Sequence, residues 1–206
     1  MITIIDYGLG NISAFLNVYR RLNIPISIAR TADDLKAATK FILPGVGTFD
    51  HAMSRLNNSG MREALERLVL VHRLPVIGIC VGMQMLAKSS EEGILPGLGW
   101  IDGSVKQFNK LDTNNVSHLQ LPHMGWNDVA PVKTNRLFND LGLGSRFYFL
   151  HSYYFSCNQP EDVIALTNYG EQFTSAVNLS NIFGVQFHPE KSHQWGIQLL
   201  KNFAEM

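Results

Sequence analysis

The sequence predicts an α/β fold: an open, mostly parallel central sheet with helices on both faces, extended toward the C-terminus by mixed or antiparallel strands. Three observations predict it. Up to Glu91, short runs rich in Ile, Val and Phe alternate with amphipathic stretches, the rhythm of a parallel sheet with right-handed crossovers. Several of those runs end directly in glycine-bearing turns. Beyond Glu91 the strand-like runs crowd together with little helix between them, as they do in an antiparallel edge.

Taken in order, residues 2–5 read as a strand, 11–22 as a helix, 26–29 as a strand, and 31–38 as a helix opened by a Thr/Asp cap. A strand over 40–43, a helix over 60–72, a strand over 76–79 and a helix starting at Cys80 follow. Gly93, Pro96, Gly97, Gly99 and Gly103 then punctuate a loop. Strands are expected at 104–108, 146–150, 163–167, 174–178 and 182–186, and a last helix at 192–204.

The 206 residues carry no Pro/Ser/Gly-rich linker, and a length near the usual ~100–200 residues per domain predicts a single domain over 1–206. With 46% hydrophobic residues the chain can bury a large core, and 17 basic against 17 acidic residues leave no electrostatic footprint for nucleic acid or an anionic membrane. The most apolar stretch, 74–87, contains Pro75, two glycines and Gln84 and falls short of a membrane span. The N-terminus lacks the charged and apolar regions of a signal peptide, so a cytoplasmic location is expected. Cys80 and Cys157 are too far apart for a C-x-x-C pattern.

In open α/β sheets chemistry lies beyond the carboxyl ends of the strands. The strongest signal there is Gly78-Ile79-Cys80-Val81-Gly82, a nucleophile elbow with Cys in place of Ser. The helix expected to start there favours the thiolate over the thiol. The competing reading is a buried core cysteine. His188-Pro189-Glu190 follows the strand over 182–186 and offers a base and its orienter, because residues two apart on extended backbone share a side. Alone, the same three residues are an ordinary strand-ending turn. Oxyanion donors are expected from the N–H of Val81 and from the Pro44-Gly45-Val46-Gly47 turn, hence Val46 and Gly47. The Asp6–Asn11 glycine turn has Ser13 where a dinucleotide fingerprint needs its third glycine, so no nucleotide cofactor is expected. The histidines show no metal-ligand spacing, and no metal is expected.

Together, the Gly45–Gly47 turn, the cysteine elbow and Phe187-His188-Pro189-Glu190 resemble the class I (triad) glutamine amidotransferases. The segments Asp6–Asn11, Pro122–Asn127, Phe147–Tyr153 and Gly184–Ser192 are similar to those of the glutaminase subunits of imidazole glycerol phosphate synthase. The resemblance implies a flavodoxin-like amidotransferase fold and a thiol amidohydrolase needing no cofactor. It also implies a two-protein enzyme of histidine biosynthesis, a heterodimer in which ammonia released from L-glutamine travels through a HisF-like (β/α)8 cyclase. Residue by residue it implies a triad of Cys80, His188 and Glu190. Gln84 and Glu92 would contact glutamine with the backbone of His151, Ser152 and Tyr153, and Gly10, Asn11, Trp126, Tyr148 and Lys191 would face the cyclase. From the residues alone, Gln84 also reads as a polar helix residue, Glu92 as half of a solvated pair with Glu91, and Trp126 and Tyr148 as core aromatics.

Val81 stands where the family commonly has leucine, which leaves the N–H in place. The first helix, through Ala14–Tyr19, is closer to paralogues that feed ammonia to amidino-sugar assembly for surface polysaccharides, an alternative acceptor. A third reading is a non-enzymatic, redox-sensing protein of the DJ-1-like kind, which also carries an elbow cysteine. The Phe187–Glu190 segment argues against it. Cys157 reads as a bystander.

Overall fold

A computed structural model describes residues 1–108, 119–142 and 144–206. The first half alternates β1 (Ile2–Ile5), α1 (Ile12–Arg21), β2 (Ile26–Ala29), β3 (Lys40–Gly45), α2 (Phe49–Asn58), α3 (Arg62–Glu66), β4 (Val76–Cys80) and α4 (Val81–Gln84). The short β5 (Ser89–Ser90), β6 (Gly103–Gln107), β7 (His123–Asp128) and β8 (Ala130–Pro131) come next. The chain ends with β9 (Arg146–His151), β10 (Tyr153–Cys157), β11 (Val163–Tyr169), β12 (Glu171–Leu179), β13 (Ile182–Val185) and α5 (His193–Glu205).

The main sheet runs β2-β1-β3-β4-β13-β12-β10-β6-β5, while β7 and β9 pair as a separate antiparallel ribbon. From β2 to β13 every neighbour is parallel; β12, β10 and β6 then continue antiparallel. The central strands are apolar on both faces: all five residues of β4 and all four of β13 are buried, as a sheet covered on both sides demands. The helices supply that cover with one-sided stripes. Phe15, Val18 and Tyr19 are the buried face of α1, and Tyr19 donates its hydroxyl to the Leu200 carbonyl of α5 at 3.0 Å. Lys40 at the start of β3 donates to the carbonyls of Phe203 and Met206 at 3.2 and 2.6 Å, satisfying the C-terminal end of α5.

The structure departs from the expected elements in several places. The helix expected over 31–38 is a 3₁₀ turn at Asp33–Ala37, because the Asp34 carboxylate is drawn back onto the N–H groups of Arg30 and Thr31, each at 2.9 Å. The helix expected over 60–72 starts at Arg62 and finishes as a π turn, Arg67–Val71. Most consequentially, the helix expected at Cys80 is the single turn α4. It is too short to assemble a macrodipole, so stabilisation of a thiolate has to come from individual hydrogen bonds. Among the described residues no helix is long and apolar enough to cross a membrane.

Candidate active site

Sheet register does most of the assembly. Gly45 of β3 stands opposite Cys80 of β4, and Ile79 opposite Val185 of β13. The turns leaving β3, β4 and β13 therefore emerge side by side at the carboxyl ends of these central parallel strands. They bring together Gly45–Gly47, Cys80–Val81 and Gln186–Glu190, segments that lie far apart in sequence.

Cys80 has φ 55° and ψ −113°, a positive-φ conformation that costs a non-glycine residue on the order of 1–3 kcal/mol. The flanking glycines make it possible by close approach, and neither has positive φ itself. A Cβ on Gly78 would lie 2.5 Å from the Gly82 carbonyl oxygen, and one on Gly82 would overlap the carbonyl of Leu43. Tyr7 steadies the neighbouring turn by donating its buried hydroxyl to the Pro44 carbonyl at 2.6 Å. Gly47 has φ +85° with open space where a Cβ would be.

His188 Nδ1 lies 2.9 Å from Glu190 Oε1, and His188 shares a cavity wall with Cys80. Burial by itself would hold the imidazole below its ordinary range. The hydrogen bonds and charges of Cys80 and Glu190 outweigh that and push it up to about 10. At neutral pH His188 is thus an imidazolium held between a sulfur and a carboxylate. Its spacing to Glu190 is not the extended one expected, since Pro189–Lys191 forms a 3₁₀ turn that folds the carboxylate back under the ring. The His188 N–H donates to the Tyr148 carbonyl of β9 at 2.8 Å, and Ser192 Oγ bridges the His188 carbonyl (2.6 Å) and the Tyr148 N–H (3.0 Å).

A cavity of about 300 Å³ opens over the sulfur, at the small end of the ~300–1,000 Å³ typical of small-molecule sites. Its walls include Val46, Gly47, Cys80, Val81, Gln84, Glu92, His151, Ser152, Tyr153 and His188, every residue expected to serve catalysis or substrate except Glu190, which stands behind His188. Glu92 accepts from the Phe49 N–H at the start of α2 (2.8 Å). Burial, opposed by that bond and reinforced by Asp50, holds its carboxyl above the ordinary range. The Gln84 amide donates inward, to the Tyr153 carbonyl at 2.9 Å and to Gln186 Oε1 at 3.0 Å.

Pro122, Leu150 and Lys191 also line the cavity. Sequence reasoning put Lys191 on a partner face and passed over the other two. It also passed over Gln186, although Gln186 and His188 are two apart, the same interval that singled out Glu190. A second feature it missed is a buried histidine pair: His123 Nδ1 lies 2.9 Å from His151 Nε2, and His151 Nδ1 lies 2.8 Å from the Tyr153 carbonyl. Burial depresses both, to about 4 for His123 and about 3 for His151, so both are neutral.

The residues expected to face a partner divide. Trp126 and Tyr148 are register partners on the β7–β9 ribbon; Trp126 is 39% exposed and stacks on His193 at 5.2 Å, and Lys191 Nζ lies 5.8 Å from the Tyr148 ring centre. Asn11 is the N-cap of α1, accepting from the Ala14 N–H at 3.3 Å, and Gly10, at φ +99°, fits against Pro44. Local folding accounts for those two by itself. Cys157 is set apart from this site on β10, and burial pushes its thiol up to about 12.

The chain is 60% identical over 206 residues to the imidazole glycerol phosphate synthase subunit HisH of Bdellovibrio bacteriovorus, covering all of both chains. It is 53% identical to the HisH subunit of Leptospira interrogans and 47% to HisH 2 of Pseudomonas aeruginosa, again over the full length of each. A crystal structure of a glutamine amidotransferase superposes with a TM-score of 0.74 at 20% identity, covering 99% of this chain and 97% of that one, which speaks to the fold alone. Residues 3–206 match the family described as class-I glutamine amidotransferase. A strained cysteine at a strand end, an imidazolium backed by a carboxylate, and relatives of this kind along its whole length together mean that the chain belongs to the class-I glutamine amidotransferase family.

Proposed function

We propose that the chain hydrolyses L-glutamine to glutamate and ammonia through Cys80, His188 and Glu190. In this reading it is the glutaminase subunit of an imidazole glycerol phosphate synthase, working in the cytoplasm and delivering ammonia to a HisF-like (β/α)8 cyclase. The observation that carries the reading is His188, backed by Glu190 at 2.9 Å, standing with Cys80 on the wall of one amino-acid-sized cavity.

The Cys80 thiolate attacks the carboxamide carbon, and the carbonyl π electrons move to oxygen. The N–H groups of Val81 and of the Val46–Gly47 turn stabilise that oxyanion. As the C–N bond breaks, the His188 imidazolium gives its proton to the departing nitrogen, which leaves as ammonia. A γ-glutamyl thioester remains. His188, now neutral, takes a proton from water as the water oxygen attacks the thioester; the C–S bond breaks, glutamate forms, and the thiolate–imidazolium pair is restored. Glu190 keeps the imidazole ring oriented and its charge compensated in both halves. Glu92 pairs with the substrate ammonium and the backbone of His151–Tyr153 lines the far wall.

The full-length likeness to HisH subunits supports a synthase partner. The exposed aromatics of the β7–β9 ribbon, with Lys191, supply a face of the right kind, since Trp and Tyr anchor interfaces. The isolated chain is expected to be a poor glutaminase, because the Gly47 turn has room to hold its N–H away from the substrate until a partner seats it.

The test measures glutamate release by the chain with and without a HisF-like cyclase. Cys80→Ala and His188→Ala are expected to lose activity by at least ~10²-fold, and a glutamine-analogue diazo ketone should label Cys80. Unchanged turnover in either variant refutes the mechanism. Full glutaminase rate in the isolated subunit refutes the partner dependence. Stable co-purification with an amidino-sugar synthase instead would transfer the ammonia to that acceptor.

A further inference from the structure

Between β13 and His188 lies Gln186, whose side chain is completely buried. Its neighbours fix which way round its amide sits. The Tyr153 carbonyl can only accept, so the Gln84 atom 2.9 Å from it is the amide nitrogen. That same nitrogen lies 3.0 Å from Gln186, so the Gln186 atom facing it is the carbonyl oxygen. The other end of the Gln186 amide is therefore Nε2, and it stands 3.7 Å from Cys80 Sγ, within the range of an N–H donor to sulfur. Two amides are thus threaded in one direction, from a backbone carbonyl that can only accept to an N–H aimed at the reacting atom.

We propose that Gln186 is a catalytic hydrogen-bond donor to the Cys80 sulfur, held in that orientation by Gln84, and that it stabilises the thiolate. A carbonyl on the opposite side makes such a donor useful: the Leu150 oxygen lies 3.9 Å from the sulfur, where it accepts the S–H of a thiol and repels a thiolate. With α4 only one turn long, the N–H of Gln186 and the imidazolium of His188 are the polar groups that favour the negative sulfur. Burying a glutamine without such a task is costly, whereas burying one with both ends bonded is not. The sulfur contact stands by itself; only its consequence for attack and thioester release rests on the glutaminase reading.

The experiment reads Cys80 directly. In full-length protein carrying Cys157→Ser, the rate of iodoacetamide alkylation of Cys80 is followed against pH by mass spectrometry. The titratable groups facing the sulfur are His188 beyond β13 and Tyr7 beyond β1, with Glu92, His151, Tyr153 and Lys191 on the cavity wall. All of them are retained in the variants. Gln186→Met, nearly the same shape without a donor, is expected to move the midpoint of the profile up by about one unit, a hydrogen bond to a charged group being of that size. Gln186→Glu keeps an oxygen for Gln84 and replaces the donor by a charge, and is expected to move the midpoint further in the same direction. With the partner present, kcat should fall by about tenfold with little change in KM. A midpoint that stays put in a folded Gln186→Met or Gln186→Glu variant overturns the proposal; if thermal melting shows the Met variant unfolded, the isosteric Glu variant decides alone. A wild-type protein that shows the expected alkylation shifts against its variants yet releases no glutamate would overturn the glutaminase reading and leave the sulfur contact standing.

Discussion

Glu190 shows how much one buried charge decides. Its side chain is 2% exposed, and one oxygen is committed to His188. Replacing it by Gln keeps the shape and removes the charge that helps hold His188 at about 10. We expect Glu190→Gln to lower kcat by about a hundredfold or more with KM nearly unchanged, and the His188 resonance followed by NMR to titrate closer to its ordinary value. The sign for stability follows from linkage. A histidine raised in the folded state contributes stabilisation that is complete below about 6.5 and is lost as pH climbs through about 10. Unfolding by denaturant should therefore show the wild-type protein losing stability across that window and Glu190→Gln losing less. Equal slopes would mean that the carboxylate is not what holds the proton. At this scale the sequence made Cys80, His188 and Glu190 legible because each sits in a motif whose chemistry constrains its neighbours. Gln186 and His123 stayed hidden because a buried amide or imidazole looks like any polar residue until its bonding partners are known.

At the scale of elements, the elbow and the β9 strand are the parts on which the site depends. The elbow works only while Gly82 lacks a side chain, since a Cβ there meets the Leu43 carbonyl on the neighbouring strand. Gly82→Ala is expected to cost ~1–3 kcal/mol by overpacking and to slow alkylation of Cys80 as the turn relaxes. Gly142→Ala, where the space is open, should leave melting unchanged. If Gly82→Ala melts like the wild type, the close approach of β3 to the elbow is not what shapes the turn. β9 touches the chemistry with its backbone, through the carbonyl of Tyr148 on His188 and that of Leu150 beside Cys80, while the Tyr148 side chain meets Trp126 on the outer face. A partner leaning on that face would press on the strand that holds both reacting groups.

The parallel strands were readable because both faces are covered and the apolar runs are continuous. The α2 helix was equally available, with Phe49, Ala52, Met53 and Leu56 at helical spacing, but it was passed over beside the glycine turn before it. The β7–β9 ribbon was harder. Its register joins His123 to His151, and nothing local in either segment specifies the other.

Across the whole molecule, that non-local pairing has a consequence that can be measured without substrate. Phe149 and Tyr169 sandwich His123, with ring centres at 4.7 and 4.0 Å, and Asn127 Nδ2 lies 3.2 Å from its Nε2. Because the Tyr153 carbonyl accepts from His151 Nδ1–H, His151 Nε2 must accept from His123 Nδ1–H, and His123 Nε2 in turn accepts from Asn127. Each ring nitrogen has one role, and an added proton on either ring sets two donors face to face. Both histidines are depressed in the folded protein, to about 4 and about 3, and ordinary in the unfolded chain, so stability is complete above about 6.5 and is lost as pH falls below it. His188, protonated in the folded protein throughout but only half protonated in the unfolded chain at pH 6.5, offsets part of the slope near 6.5 and almost none by pH 5. Glu92, held above its ordinary range, acts in the opposite sense and only nearer the carboxylate region. Denaturant unfolding between pH 6.5 and 5 should thus lose about 1.4 kcal/mol per pH unit for each histidine, and His123→Phe, which keeps the stacking and removes one titration, should show about half the slope from a lower starting stability. Half that slope in the wild type would mean that one of the two rings is charged in the native protein, and a flat profile that both are; either result would overturn the hydrogen-bond direction assigned from Asn127 to Tyr153.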